Sequence, residues 1–183
     1  MTTPIRVLGF SGSLRKGSAN TGLLRVAAEV LPEGMTLDVF DIAPIPFYNA
    51  DVEAEGRPEP VNAFREAIRT ADALLIACPE YNYSIPGVLK NAIDWASRGA
   101  DQPFAGKPVA LMGAGGGLGT ARSQYHLRQV CVFLDMHPLN KPELFVPMAS
   151  QKFDRNGNLT DDSIKERVGT LLTALAAWTE RLK

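Results

Sequence analysis

The sequence predicts an α/β fold: a doubly wound, five-stranded parallel sheet of order 2-1-3-4-5 with helices on both faces. Three observations carry this. Short, almost wholly apolar runs at residues 7–10, 73–78 and 109–113 read as strands buried on both faces. Amphipathic helical stripes alternate with them along the chain. Each run ends in a polar or glycine-rich loop, and the strand order gathers those loops at one edge of the sheet.

The elements follow in order. After the first run comes GSLRKGSAN (residues 12–20), and then Leu23, Leu24, Ala27, Ala28 and Leu31 form one face of a helix. In residues 35–40, Met35, Leu37 and Val39 alternate with polar residues, so this strand has a wet face and sits at a sheet edge. Residues 42–59 are rich in proline and acid and are expected to be irregular. Val61, Phe64 and Ile68 mark a helix beginning at Pro60; Leu89, Ala92, Ile93 and Ala96 mark another after Pro86. Leu127, Val130, Cys131 and Leu134 give a fourth stripe. The last strand, residues 144–146, is ringed by Pro138, Pro142 and Pro147, which places it at the opposite edge. A final helix carries Ile164, Val168, Leu171, Leu172 and Leu175, with Thr160 as its cap and Asp161 and Asp162 in its first turn.

Composition narrows the function. At 183 residues the chain suits one domain, 1–183, with a full core. A formal net charge of -1 argues against a nucleic-acid surface, and against the acidic excess of a carrier that docks on basic partners. A small-molecule partner is favoured. Cys78 and Cys131 form no C-x-x-C pair and lie in apolar runs, so they read as core thiols, with a redox pair as the alternative. The start of the chain leads directly into a strand pattern without a signal-peptide core, and no apolar run reaches membrane-spanning length. A cytoplasmic location is expected.

The first loop is the most telling segment. A polar loop between strand and helix offers backbone N–H groups and a helix dipole to an anion. Here it adds Ser13, Ser18, Asn20 and the guanidinium of Arg15, donors suited to a phosphate monoester. The hydroxyls and amide could also serve only as helix caps. That does not account for Arg15, which opposes the helix dipole unless an anion is present. After the third strand, Tyr81 and Tyr83 flank Asn82. They read as half-buried aromatics or as a platform for a flat ring. Glycines 115–117 read as a turn or as close backbone approach to a ligand.

Better-known signatures fail. The 12–17 spacing resembles a Walker A loop, but Ser18 stands where lysine is required. Gly9-Phe10-Ser11-Gly12-Ser13 resembles a nucleophile elbow without its last glycine. Residues 113–117 lack the G-x-G-x-x-G spacing of a dinucleotide site and follow the fourth strand. No spacing of His, Cys or carboxylates proposes a metal site.

GSLRKGSAN, PEYNYSIPGVLKNAIDW (79–95) and GAGGGLGTARSQYHLRQ (113–129) together resemble the flavodoxin-like NADPH-dependent FMN reductase family, and more narrowly its bacterial NAD(P)H:quinone and chromate reductases. The resemblance runs from about Ile5 to the final helix. It implies that Ser13, Arg15, Ser18, Ala19 and Asn20 hold the FMN phosphate. Glu80, Tyr81, Asn82 and Tyr83 would meet the isoalloxazine, and Gly115, Gly116 and Gly117 its pyrimidine end. It also implies a homo-oligomer, dimer or tetramer, with Arg122, Tyr125 and Glu143 at a tetramer contact; a solvated face is the other reading of those three. The implied reaction moves two electrons from NADPH or NADH through FMN to a quinone, with chromate, azo or nitro compounds as further acceptors. Because the cofactor carries the chemistry, no catalytic side chain is required. A flavin reductase that releases reduced FMN, a flavodoxin-type carrier and a non-enzymatic nucleotide sensor share these features and remain open.

Overall fold

In the computed structural model, which describes residues 4–183, parallel strands build one sheet of order β2-β1-β3-β4-β5. The first three residues, read above as leading into a strand, lie outside the described part. β1 (Ile5–Ser11) pairs on one side with β2 (Met35–Phe40) and on the other with β3 (Ala73–Ala77), which pairs with β4 (Pro108–Ala114). The register aligns Val7 with Ala73 and Leu74 with Val109. β1, β3 and β4 are buried almost throughout, as their unbroken apolar runs require.

Alternate residues of each strand feed two cores, because strand side chains change face at every step. Phe10, Leu74, Ile76 and Leu111 meet Phe64 of α3 (Glu59–Thr70), Trp95 of α4 (Gly87–Ala96) and Leu127 of α5 (Ala121–Phe133). Phe10 and Phe64 pack edge to face with ring centroids 5.2 Å apart. On the other face Val7, Leu75 and Met112 meet Leu23 and Leu24 of α1 (Ala19–Glu29) and Val168, Leu171 and Leu172 of α6 (Ser163–Leu182).

Four expectations change. Residues 42–59 contain a short helix, α2 (Ala50–Glu55), started by the Asn49 side chain accepting the Asp51 amide at 2.8 Å. The fifth strand position is split. β4 pairs near its start with β5 (His137–Pro138) and at its end with β6 (Leu144–Val146). Pro142, between these pieces, lacks the N–H that a continuous ladder needs. The last helix begins at Ser163 rather than after Thr160, because the Asp161 carboxylate turns back to accept the Ser163 amide (3.1 Å) and hydroxyl (2.6 Å). In β2, Met35 is buried but Val39 is exposed, so the inward face of that edge strand thins along its length.

Buried Arg65 pins the segment after α4. It donates to the carbonyl oxygens of Ala96 and Arg98 and pairs with the Asp101 carboxylate at 2.8 Å. This guanidinium holds the Asp101 carboxyl below its usual range.

Candidate functional site

At the carboxyl edge of the sheet, the end of β1 turns into α1 through the 12–18 loop. Ser18 is the N-cap: its Oγ accepts the amides of Asn20 (3.2 Å) and Thr21 (3.3 Å). No acidic residue lies in the first turn of α1, so nothing on that helix neutralises its positive end. The Arg15 guanidinium folds back on the same loop and donates to the Gly17 carbonyl at 3.1 Å. The Ser13 amide donates to Ser11 Oγ at 3.2 Å. Asn20 behaves differently from expectation. Its side-chain amide is spent on the backbone of Ala114, donating to the carbonyl at 2.9 Å and accepting the N–H at 3.0 Å. It therefore ties the start of α1 to the end of β4.

The two other loops close over the same place. The Gly115 amide is taken by the Val146 carbonyl, and a Cβ on Gly115 would lie 2.3 Å from the Gly119 carbonyl oxygen. Gly115 is thus glycine so that the loop can pack on itself. A Cβ on Gly116 or Gly117 would meet open space. The Gly117 amide donates to no other backbone group among the described residues, while Gly116 pairs with Gly119 in an antiparallel bridge. These are the positions a ligand can approach.

After β3, Tyr81 and Ser84 exchange backbone hydrogen bonds (3.1 and 2.9 Å) around Asn82 and Tyr83, which sit at φ 49° and 65°. This is a left-handed turn built without glycine; asparagine tolerates such backbone, whereas at Tyr83 it costs on the order of 1–3 kcal/mol. The Glu80 carboxylate points away from this turn, into α5. Its Oε2 accepts the amides of Arg122 (3.0 Å) and Ser123 (3.3 Å), and its Oε1 pairs with Arg122 Nη1 at 2.9 Å.

A cavity of about 380 Å³ joins these parts. Its floor runs from Ser13, Arg15, Ser18, Ala19 and Asn20 past Glu80 and Tyr81 to Gly115 and Gly116. Its far wall is Ala149, Ser150, Phe153 and Asp154, which the sequence reading did not include. That wall follows a left-handed residue, Met148 (φ 53°), and nothing in a methionine announces such a bend. The acid in this wall does not oppose an anion freely. Asp154 Oδ1 accepts the amides of Asn156 and Asn158, both at 2.8 Å, and those bonds hold its carboxyl below the usual range. A larger cleft of about 510 Å³ lies between α4 and α5. Its Lys90 is paired with Asp94 at 2.6 Å, so that ammonium is already neutralised.

The donor set fits FMN. A phosphate would meet the open end of α1, the amide of Ala19, Ser13 and Arg15, and a flat ring would meet Tyr81 and the free side of Gly116 and Gly117. The sequence matches the family described as NADPH-dependent FMN reductase over residues 5–151. The chain belongs to that family. It is 56% identical over 184 residues to an NAD(P)H-dependent FMN reductase of Pseudomonas aeruginosa, with all of both chains covered (100%). It is 52% identical over 185 residues to an NAD(P)H:quinone oxidoreductase of Solanum tuberosum, covering 98% of this chain and 95% of the relative. Among solved structures, a flavoenzyme NAD(P)H:(acceptor) oxidoreductase of Paracoccus denitrificans superposes with a TM-score of 0.84 at 31% identity, covering 97% of this chain and 98% of that one. As an FMN reductase family member the chain is an oxidoreductase, with FMN as cofactor and a reduced nicotinamide nucleotide as donor.

The three residues expected at an oligomer contact separate into two groups. Tyr125 Oη donates to Glu143 at 2.9 Å, and Lys141 pairs with the same carboxylate at 2.8 Å. These bonds hold the Glu143 carboxyl below its usual range. Arg122 instead faces Glu80 and the Tyr83 ring.

Proposed function

We propose that the chain is an FMN-dependent NAD(P)H:quinone oxidoreductase, acting as one flavin-binding domain. The observation that carries the reading is one cavity joining an anion cradle at the start of α1 to two open loop edges where a planar ring can lie. The quinone acceptor is suggested by relatives carrying that activity in their names. FMN supplies the two-electron chemistry when bound. The chain positions it: Ser13, Arg15 and Ala19 hold the phosphate, while Tyr81, Gly116 and Gly117 present a flat wall and an open backbone edge to the ring. Amides fixed at such an edge stabilise negative charge with little reorganisation. No side-chain acid or base is required.

Chromate, azo or nitro compounds are further acceptors in this reading, because a flavin open to solvent donates to many oxidants. A homo-oligomer is part of it too, with a tetramer using the Tyr125–Glu143 region. Support comes from Val132 and Phe133, exposed at the end of α5 beside the α4–α5 cleft. An exposed phenyl ring there is a candidate for burial against another copy. We place the chain in the cytoplasm; among the described residues no helix is long and apolar enough to cross a membrane.

The test is the visible spectrum of the purified protein before and after anaerobic NADPH, followed by a quinone. Flavin bands that bleach and then return with quinone are expected. A protein that takes up no FMN and oxidises no NADPH would refute the reading. Flavin lost on gel filtration, with free FMN reduced catalytically, would favour a flavin reductase instead.

A further inference from the structure

We propose that Glu80 and Arg122 are positioning residues of the flavin site, acting through the turn that carries Tyr81; the proposal rests on the functional reading above. The turn does not hold itself. Asn82 and Tyr83 both occupy the left-handed region; asparagine suits the first position of such a two-residue turn, but Tyr83 stands at the second, where glycine is usual and a bulky side chain is disfavoured. Only two backbone hydrogen bonds, between Tyr81 and Ser84, close it.

α5 clamps the turn at two points one helical turn apart. The Arg122 guanidinium lies 3.6 Å from the centroid of the Tyr83 ring. Four residues on, His126 Nδ1 is 3.0 Å from Ser84 Oγ. Residues so spaced share a helix face, so both ends of the strained segment rest on one rigid edge. Glu80 sets that edge. Its carboxylate accepts the first amides of α5 and, through its other oxygen, holds Arg122 over the ring. Tyr81, the first residue of the turn, walls the cofactor cavity and also an adjoining apolar cleft of about 470 Å³ beside Leu14, Phe47 and Val88. Where the turn stands therefore decides where that wall stands.

Arg122→Ala is the discriminating variant, because it keeps the backbone amide that Glu80 caps and removes only the stack and ion pair. Hydrogen exchange of the Tyr81 and Ser84 amides, in protein with and without FMN, should quicken about ten-fold, while α6 amides stay unchanged. In the FMN-loaded protein the visible circular dichroism of the flavin should shift. KM for a quinone should rise about five-fold with kcat within about two-fold, the scale of one exposed cation–π contact. Glu80→Gln should move each readout in the same direction. Tyr83→Leu should reproduce Arg122→Ala and serves if that variant fails to fold, while Tyr83→Phe, which keeps the ring under Arg122, should leave the exchange of the Tyr81 and Ser84 amides as in the parent. Unchanged turn amides in Arg122→Ala, equal quickening in α6, or a change of assembly mass that accounts for the kinetics would each overturn the proposal. A parent protein that neither binds FMN nor oxidises NADPH would sink the functional reading instead, and the exchange result without FMN would still decide the clamp.

Discussion

Arg15, in the loop after β1, and Asn20, in the first turn of α1, stand five positions apart, yet they do opposite work. The Arg15 side chain is exposed and holds only a loop carbonyl, so it is free to meet an anion. Arg15→Ala should weaken FMN binding by about ten-fold, the scale of one charge-assisted hydrogen bond, with melting of the cofactor-free protein unchanged. Titration of that protein with FMN checks this. Asn20→Ala should do the reverse, because it orphans a buried carbonyl and N–H on Ala114. We expect a loss of about 2–4 kcal/mol in urea unfolding before any effect on FMN is counted. Ser18 was legible as a helix cap from its place before an apolar stripe. The partner of Asn20 was not, since it lies 94 residues away in sequence and only the fold brings it near. The cysteines were legible as core thiols. Burial pushes both up to about 12, so neither should react with a thiol reagent at about pH 8 until the protein is unfolded.

Between elements, the decisive contact is the one α1 makes with the 153–159 loop. A Cβ on Gly22 would lie 2.1 Å from the Gly157 carbonyl oxygen, and Gly157 itself sits at φ 75°. Arg25 of the same helix donates to that carbonyl at 2.6 Å. Gly22→Ala should therefore push the loop off α1, shift the Phe153–Asp154 wall and lower both melting temperature and FMN affinity. Overpacking of this kind costs about 1–3 kcal/mol, and calorimetry with and without FMN would show both losses. Most elements were readable, because a strand buried on both faces and an amphipathic helix write different periods into the chain. The short α2 was not: it buries no residue and depends on one Asn49 cap within a proline-rich stretch. Nor was the split of the fifth strand, since β5 is only two residues long and carries no periodicity.

For the whole molecule, the sheet order itself predicts the site. Once β1 lies between β2 and β3, the loops after β1, β3 and β4 converge at one edge, and the cavity proposed for the cofactor lies there. The wall from 149 to 154 comes from beyond the last strand, outside that rule. The exposed end of α5 belongs to the same scale. Replacing Val132 and Phe133 together by aspartate should reduce the assembly mass seen by sedimentation at equal concentration, with FMN still bound. An unchanged mass would overturn this face as an interface.

The bidentate bond between Asn20 and Ala114 also bears on redesign. It couples the loop after β1 to the loop after β4, although about half of the chain separates them. The demand is one-sided: any residue other than proline at 114 supplies the backbone partner, whereas position 20 must supply the side-chain amide. Grafts that keep that asparagine keep the joint, and with it the spacing of the two loops across the cavity.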